Sequence, residues 1–195
     1  MTAYRAVRVV LRPLIRAVWC ARAEGRALPP GPLVVVSNHD SLADPFFLGT
    51  AVDRPLHFLA KQELWANRVV GGVLDSLGGI PVRRGRGDLD AMAAAADALR
   101  AGAAVAIFPQ GTVLGSETRA WHRGAARLAL ATGAPIVPVR IVGADRALRP
   151  GTRVPRRARV RVVVGEPIRV EPAPATIAAA RELTARARAT IESLA

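Results

Sequence analysis

The chain has 195 residues, 51% of them hydrophobic, which excludes general disorder and predicts one domain with a sizeable core. Only 4% are aromatic, which argues against a base-stacking platform for single-stranded nucleic acid. Twenty-eight basic residues against 15 acidic ones give a net charge of +13, and a chain so charged is drawn to polyanions.

Arginine carries nearly all of that charge. Lysine occurs once, at Lys61, which is the mark of coding bias, but bias does not account for the excess over acids. The single cysteine, Cys20, can form no internal disulfide and no metal cluster, so a reducing compartment is predicted. No run of 18 uncharged apolar residues occurs, and no transmembrane helix is expected.

In chain order, residues 1 to about 23 come first. Arg5, Arg8, Arg12 and Arg16 are spaced 3, 4 and 4 apart, which is helical, and they interrupt any export signal. Tyr4, Val7, Val10, Leu11, Leu14, Ile15 and Val18 fall largely opposite them, and Pro13 predicts a kink. The prediction is a basic amphipathic helix over residues 1–27, seated on an anionic membrane surface, with Trp19 at the interface. The alternative is a surface helix packed on its own domain.

A Pro/Gly break at residues 28–32 ends that element. Strands are predicted at Leu33–Ser37, His57–Ala60, Gly79–Val82, Ala103–Phe108, Ile136–Val142 and Arg159–Val164. Helices are predicted at Asp88–Ala101, with Asp88 as cap or first-turn acid, at Gly124–Thr132, closed by Gly133, and at Thr176–Leu194. Strands alternating with helices predict an α/β fold. It is a single domain with a mostly parallel mixed sheet flanked by helices, plus the N-terminal helix.

Chemistry concentrates just past two buried strands, where α/β sheets usually hold ligands. After the first strand, His39 stands five residues before Asp44, and Asp44-Pro45 reads as helix cap and first helical residue. If a turn folds Asp44 back, its carboxylate fixes one ring nitrogen and leaves the other as a general base. The bland alternative is a helix cap beside a polar loop histidine. After the fourth strand, Pro109-Gln110-Gly111-Thr112 forms a turn suited to binding an acceptor. Arg83 and Arg84 end the third strand, where a guanidinium fork suits phosphate, although paired arginines in so basic a chain are more often a solvated edge. His57 reads as structural, and His122 as a cap or surface contact. Trp65 and Trp121 read as packing or interfacial residues.

Four ordered blocks carry a family resemblance. They are Asn38-His39-Asp40-Ser41-Leu42-Ala43-Asp44, Gly79-Ile80-Pro81-Val82-Arg83-Arg84, Phe108-Pro109-Gln110-Gly111-Thr112 and Ile136-Val137-Pro138-Val139. Ala60-Lys61-Gln62-Glu63-Leu64 and Trp121-His122-Arg123-Gly124-Ala125 support them. From about residue 28 to 170 the sequence resembles the glycerolipid acyltransferases, specifically the 1-acylglycerol-3-phosphate acyltransferases. The resemblance implies an acyltransferase domain over residues 28–195, with His39 as general base and Asp44 as its partner. It implies substrate binding by Arg84, Gln110, Gly111, Thr112, Lys61 and Arg123, with oxyanion-stabilising N–H groups near Gly111.

The same resemblance implies no metal and no cofactor. The acyl donor would be acyl-CoA or acyl carrier protein, and the acceptor a lysophospholipid. The enzyme would sit peripherally on the cytoplasmic face of the cell membrane, with no nucleic acid partner. Two departures bear on the acceptor: Gln110 stands where the family usually has Glu, and Val113 where Arg commonly follows the Thr. They keep open a different lysolipid, an amino-acid lipid or a glycolipid as acceptor. A third alternative is a non-catalytic basic protein that binds membrane or nucleic acid.

Overall fold

Seven strands lie in one sheet, in the order β1-β7-β6-β2-β5-β3-β4. The computed structural model describes residues 2–19, 21–83, 88–113, 120–148, 152 and 154–194. The strands are β1 (Arg22–Gly25), β2 (Leu33–Ser37), β3 (Leu56–Lys61), β4 (Ile80–Val82), β5 (Ala104–Ile107), β6 (Ile136–Val142) and β7 (Arg161–Val164). The helices are α1 (Thr2–Trp19), α2 (Asp44–Ala51), α3 (Arg68–Ser76), α4 (Leu89–Arg100), α5 (Gly124–Thr132), α6 (Ala144–Ala147) and α7 (Ile177–Ser193). Every pairing is parallel except β6–β7, which is antiparallel and makes the sheet mixed.

The continuous apolar run in β2 has a simple cause. Val34 and Val36 enter one core with Leu99, Leu128, Leu183 and Ile191 from α4, α5 and α7. Leu33 and Val35 enter the other, with Phe47 and Leu48 of α2 and Ile15 of α1. A strand covered on both faces has no polar side to show.

The predicted strands and the three predicted helices from Asp88 onward form within one or two residues of the expected bounds, whereas the N-terminal helix, expected over residues 1–27, spans Thr2–Trp19. Asp88 caps α4, accepting from the Ala91 N–H at 3.1 Å, and Thr176 caps α7 in the same way. Four elements escaped the sequence, the short α6 among them. β1 lies within the first 27 residues, which were expected to hold only a helix, and it pairs along β7. A 3-10 turn (Gln62–Ala66) and α3 follow β3, the latter capped by Asn67, whose side chain accepts from the Val69 and Val70 N–H groups.

α1 divides its apolar stripe. Ile15 is buried, and Trp19 meets Phe47 edge-on at 5.5 Å between centroids, so its C-terminal half packs on α2. Val9 and Leu14 remain exposed, and Arg12 pairs with Asp53 at 3.5 Å. Among the described residues no helix is long and apolar enough to cross a membrane.

One corner is closely constrained. Gly143, between β6 and α6, has φ +82°, and a Cβ there would stand 2.4 Å from the Arg159 carbonyl oxygen. Gly143→Ala is expected to lower the unfolding free energy by about 1–3 kcal/mol, the usual cost of such a backbone position, measured by urea denaturation.

Candidate active site

The turn after β2 is built around one carboxylate oxygen. Asp44 Oδ2 accepts from the Asp40 N–H at 2.8 Å, from the Ser41 N–H at 2.8 Å and from His39 Nδ1 at 2.9 Å. Because a carboxylate only accepts, the proton on that ring lies on Nδ1, and Nε2 keeps a free lone pair. Asp44 is the first residue of α2, with Ala43 as N-cap and Pro45 next, which corrects the expectation of Asp44 as the cap. Its side chain turns back to the loop N–H groups rather than forward to the helix.

Burial is complete at Asp44, and desolvation pushes its carboxyl above the ordinary aspartate range. The bonds from His39, Ser41 and Asp40 pull the other way and do not overcome it. The second oxygen, Oδ1, has no partner among the described residues. His39 is shielded on one side by Phe108, whose ring stacks on it at 4.4 Å with 26° between planes.

Two residues outside the expected set hold the turn in place. Asn38 Nδ2 donates to the Ile141 carbonyl at 2.8 Å, and its Oδ1 accepts from the Ile141 N–H at 2.8 Å. The side chain thereby copies a ladder pair between β2 and β6. Asn38 Nδ2 also donates to Asp40 Oδ2 at 2.6 Å. Ser41 Oγ donates to the Leu148 carbonyl at 3.0 Å and accepts from the Ala43 N–H. Asn38 and Phe108 stood inside quoted blocks; their partners in space were the missing information.

The other predicted residues are placed as follows. Gln110 is only 4% exposed, and its Oε1 has no partner among the described residues. Gly111 has φ +70°, and its N–H donates to the Phe108 carbonyl at 3.0 Å. That bond closes the turn and removes the Gly111 N–H from the expected oxyanion set. Beside Gly111 stands the ring of His122, 3.4 Å from where a Cβ would be, while Arg123 and not His122 occupies the cap of α5. Val113 is buried.

Arg123 is exposed. Lys61 ends β3 and pairs with Glu63 at 3.4 Å. Neither is bonded to the His39–Asp44 pair. Arg84 lies outside the described residues. Arg83 donates from Nε to Gln62 Oε1 at 2.8 Å. Open clefts of about 260 and 530 Å³ flank Arg83 and Gln62, and neither is lined by His39 or Asp44. The site is marked by its convergent polar groups. Among the described residues no group of three or more His, Cys, Asp or Glu side chains is placed to hold a metal ion.

A strand-end His–Asp pair on a mostly parallel α/β sheet defines a candidate for general-base chemistry. The Acyltransferase family model matches residues 20–142, well over half of the chain, and the chain belongs to that family. It is 28% identical over 141 residues to a chloroplastic 1-acyl-sn-glycerol-3-phosphate acyltransferase of Brassica napus, covering 70% of this chain and 41% of that one. A 1-acyl-sn-glycerol-3-phosphate acyltransferase of Bacillus subtilis is 29% identical over 136 residues, covering 69% and 66%. A lyso-ornithine lipid O-acyltransferase of Pseudomonas aeruginosa is 35% identical over 122 residues, covering 62% and 46%. The chain spans about two fifths of the length of the plant relatives. The crystal structure of PlsC, a 1-acyl-sn-glycerophosphate acyltransferase from Thermotoga maritima, shares the fold. Its TM-score is 0.76 at 23% identity, over 97% of this chain and 78% of that one.

The raised Asp44 carboxyl gives a signed pH dependence. Its proton is held more tightly folded than unfolded, so it favours folding most below the ordinary value of 3.8. That contribution is lost as pH rises through the higher folded value. Asparagine does not titrate. The stability of the wild type relative to Asp44→Asn is expected to fall as pH rises above the ordinary value of 3.8, measured by urea unfolding across a pH series.

Proposed function

We propose that this chain transfers a fatty acyl group from a thioester, acyl-CoA or acyl carrier protein, to the free hydroxyl of 1-acylglycerol-3-phosphate, giving phosphatidic acid. The observation that carries the reading is the 2.9 Å His39–Asp44 pair at the end of β2, in a chain of the Acyltransferase family. His39 Nε2 takes the proton of the acceptor hydroxyl while Asp44 holds the ring and stabilises the imidazolium that forms. The oxygen attacks the thioester carbonyl. The tetrahedral intermediate collapses, the C–S bond breaks, and the imidazolium returns its proton to the departing thiol. Each proton lost is regained, so no covalent acyl-enzyme is required. Arg84 and Arg123 bind the acceptor's phosphate. Gln110, Gly111 and Thr112 line the acceptor side, with the unpaired Gln110 carbonyl accepting from an acceptor hydroxyl.

A lipid acceptor stays in the bilayer, and the enzyme is peripheral on the cytoplasmic face of the cell membrane. α1 is the anchor, through its arginine stripe and the exposed Val9 and Leu14.

A second reading of the acceptor has its own support. Gln110 and Val113 depart from the family at the acceptor loop, and the Pseudomonas relative is named for a lyso-ornithine lipid. An amino-acid lipid carries no phosphomonoester, and a loop with less anionic and cationic character suits it.

Thiol release from acyl-CoA with lysophosphatidic acid tests the chemistry. His39→Ala is expected to lower turnover by at least ~10²-fold, the scale of a lost general base. Asp44→Asn is expected to lower turnover while leaving the fold intact. Wild-type turnover in His39→Ala would overturn the general-base role.

Acceptor choice is tested by Gln110→Glu on a panel of lysophosphatidic acid and lyso-ornithine lipid. Higher kcat/KM with lysophosphatidic acid supports the phosphatidic acid reading. Loss of activity with that acceptor, while the wild type prefers the ornithine lipid, supports the second.

A further inference from the structure

Residues 146–161 hold seven arginines and no acid: Arg146, Arg149, Arg153, Arg156, Arg157, Arg159 and Arg161. Arg149 and Arg153 lie outside the described residues. Of the others, Arg161 pairs with Glu24 at 3.1 Å. Arg146, Arg156, Arg157 and Arg159 are exposed and have no ion pair or side-chain hydrogen bond among the described residues. Elsewhere the arginines are mixed: Arg22, Arg68, Arg127 and Arg181 are exposed with no side-chain partner among the described residues, while others are paired. Arg26 meets Glu166, Arg100 meets Asp97 and Arg188 meets Glu192. Here four exposed arginines fall within one segment with a single neighbouring acid, Asp145, an excess of like charge that repels itself until an anion arrives.

The backbone beneath them is pinned. The Arg156 N–H donates to the Ala147 carbonyl at 2.8 Å, and Gly143 lies against the Arg159 carbonyl. The Val160 N–H donates to the Trp19 carbonyl at 3.2 Å, its carbonyl accepts from the Arg22 N–H at 3.0 Å, and its side chain is fully buried. The arginines are therefore presented from a fixed ledge, continuous with the C-terminal end of α1.

The ledge also adjoins the catalytic turn, because Leu148, next to Ala147, accepts the Ser41 hydroxyl. The turn and the first turn of α2 carry two large apolar side chains into solvent, Leu42 at 55% and Phe46 at 52% exposure, and the ledge adds Val154 at 69%. Guanidinium groups interspersed with exposed aliphatic and aromatic side chains match the two layers of a bilayer surface, phosphodiester outside and acyl chain beneath.

We propose that Arg146, Arg156, Arg157 and Arg159, with Val154, Leu42 and Phe46, form a second seat on an anionic bilayer, separate from the arginine stripe of α1, that sets the mouth of the His39–Asp44 site against the lipid. The proposal rests on the lipid-acceptor reading for its purpose, but vesicle binding requires no turnover and tests it separately.

The experiment is co-sedimentation of the full chain with phosphatidylcholine vesicles, with and without phosphatidylglycerol, across a salt series. The variants are R156Q/R157Q/R159Q, its lysine counterpart R156K/R157K/R159K, and R5Q/R8Q/R16Q in α1. Near an anionic surface each basic residue contributes roughly fivefold, so the triple glutamine variant is expected to bind about 100-fold more weakly at low salt. No change is expected on neutral vesicles, near-complete retention is expected in the lysine variant, and the loss multiplies with that of the α1 variant. Unchanged melting and unchanged thiol release with a detergent-dispersed acceptor show that the fold survives.

Wild-type binding by the triple glutamine variant overturns the proposal. So does an effect confined to a raised KM for acyl carrier protein, which would make the ledge a dock for an acidic protein donor. Full binding by the α1 variant, with loss in the ledge variant, leaves the proposal standing and removes the anchor role of α1. An inactive protein that still shows the ledge-dependent binding removes the acyl-transfer reading alone.

Discussion

A single buried oxygen, Asp44 Oδ2, organises the site. It collects two backbone N–H groups and one imidazole N–H within 2.9 Å, and each donor fixes a different part of the turn. The backbone donors set the fold of the loop at Asp40 and Ser41, and the imidazole donor sets the base. Loop shape and catalytic geometry are thus not separable: whatever moves the carboxylate moves both. Its own position is fixed from behind, since Phe47 and Leu48, on the same helix, have no solvent exposure. The cost of burying this carboxylate shows as its raised pKa, and a packed α2 is what holds it there against water.

Three elements converge on that turn, and their legibility in the sequence differed for physical reasons. His39 and Asp44 were readable because residue type, strand end and family blocks all agreed. The five-residue spacing fails as a helical face, and it works because the pair spans a turn that opens onto the first residue of α2. Asn38 was visible but its task was not, because its partner Ile141 lies 103 residues on. The buried strands were legible because coverage on both faces leaves a continuous apolar run. β1 was not, because Arg22-Ala23-Glu24-Gly25 is a polar edge strand whose identity comes from the β7 ladder. The antiparallel direction of β7 has no signature in one strand's residues. α3 hid behind its glycines: Gly71 is small because Trp65 lies against it, at 3.1 Å from a would-be Cβ.

The acceptor loop shows how family departures are absorbed. Val113, where the family commonly carries a cation, turns into the interior, so that stretch is held by packing rather than by charge. Gln110 stays buried with its carbonyl unpaired, a polar atom whose desolvation is compensated only when a donor enters the site. His122 fills the space that Gly111 leaves open. Together these place a neutral acceptor, a backbone turn and an imidazole on the loop, in place of a carboxylate and a guanidinium.

The arginine excess resolves into distinct physical jobs once the partners are known. Arg54 reaches the carbonyls of Pro29, Gly31 and Gly102, tying the loop before β2 to the one before β5. Arg140 donates to the carbonyls of Ile191 and Glu192, closing the C-terminal end of α7, where the helix dipole favours a cation. Arg161 and Arg26 each meet a glutamate near the β1 edge. A guanidinium used this way is a structural donor, and coding bias toward arginine supplies it without any demand from a ligand. The arginines of the ledge pair with nothing among the described residues, as do Arg68, Arg127 and Arg181, but they follow one another within one segment whose backbone is held by hydrogen bonds at Ala147 and Trp19. Net charge alone does not distinguish these groups. The partner of each guanidinium does, and it separates charge that builds the fold from charge that remains available to an outside anion.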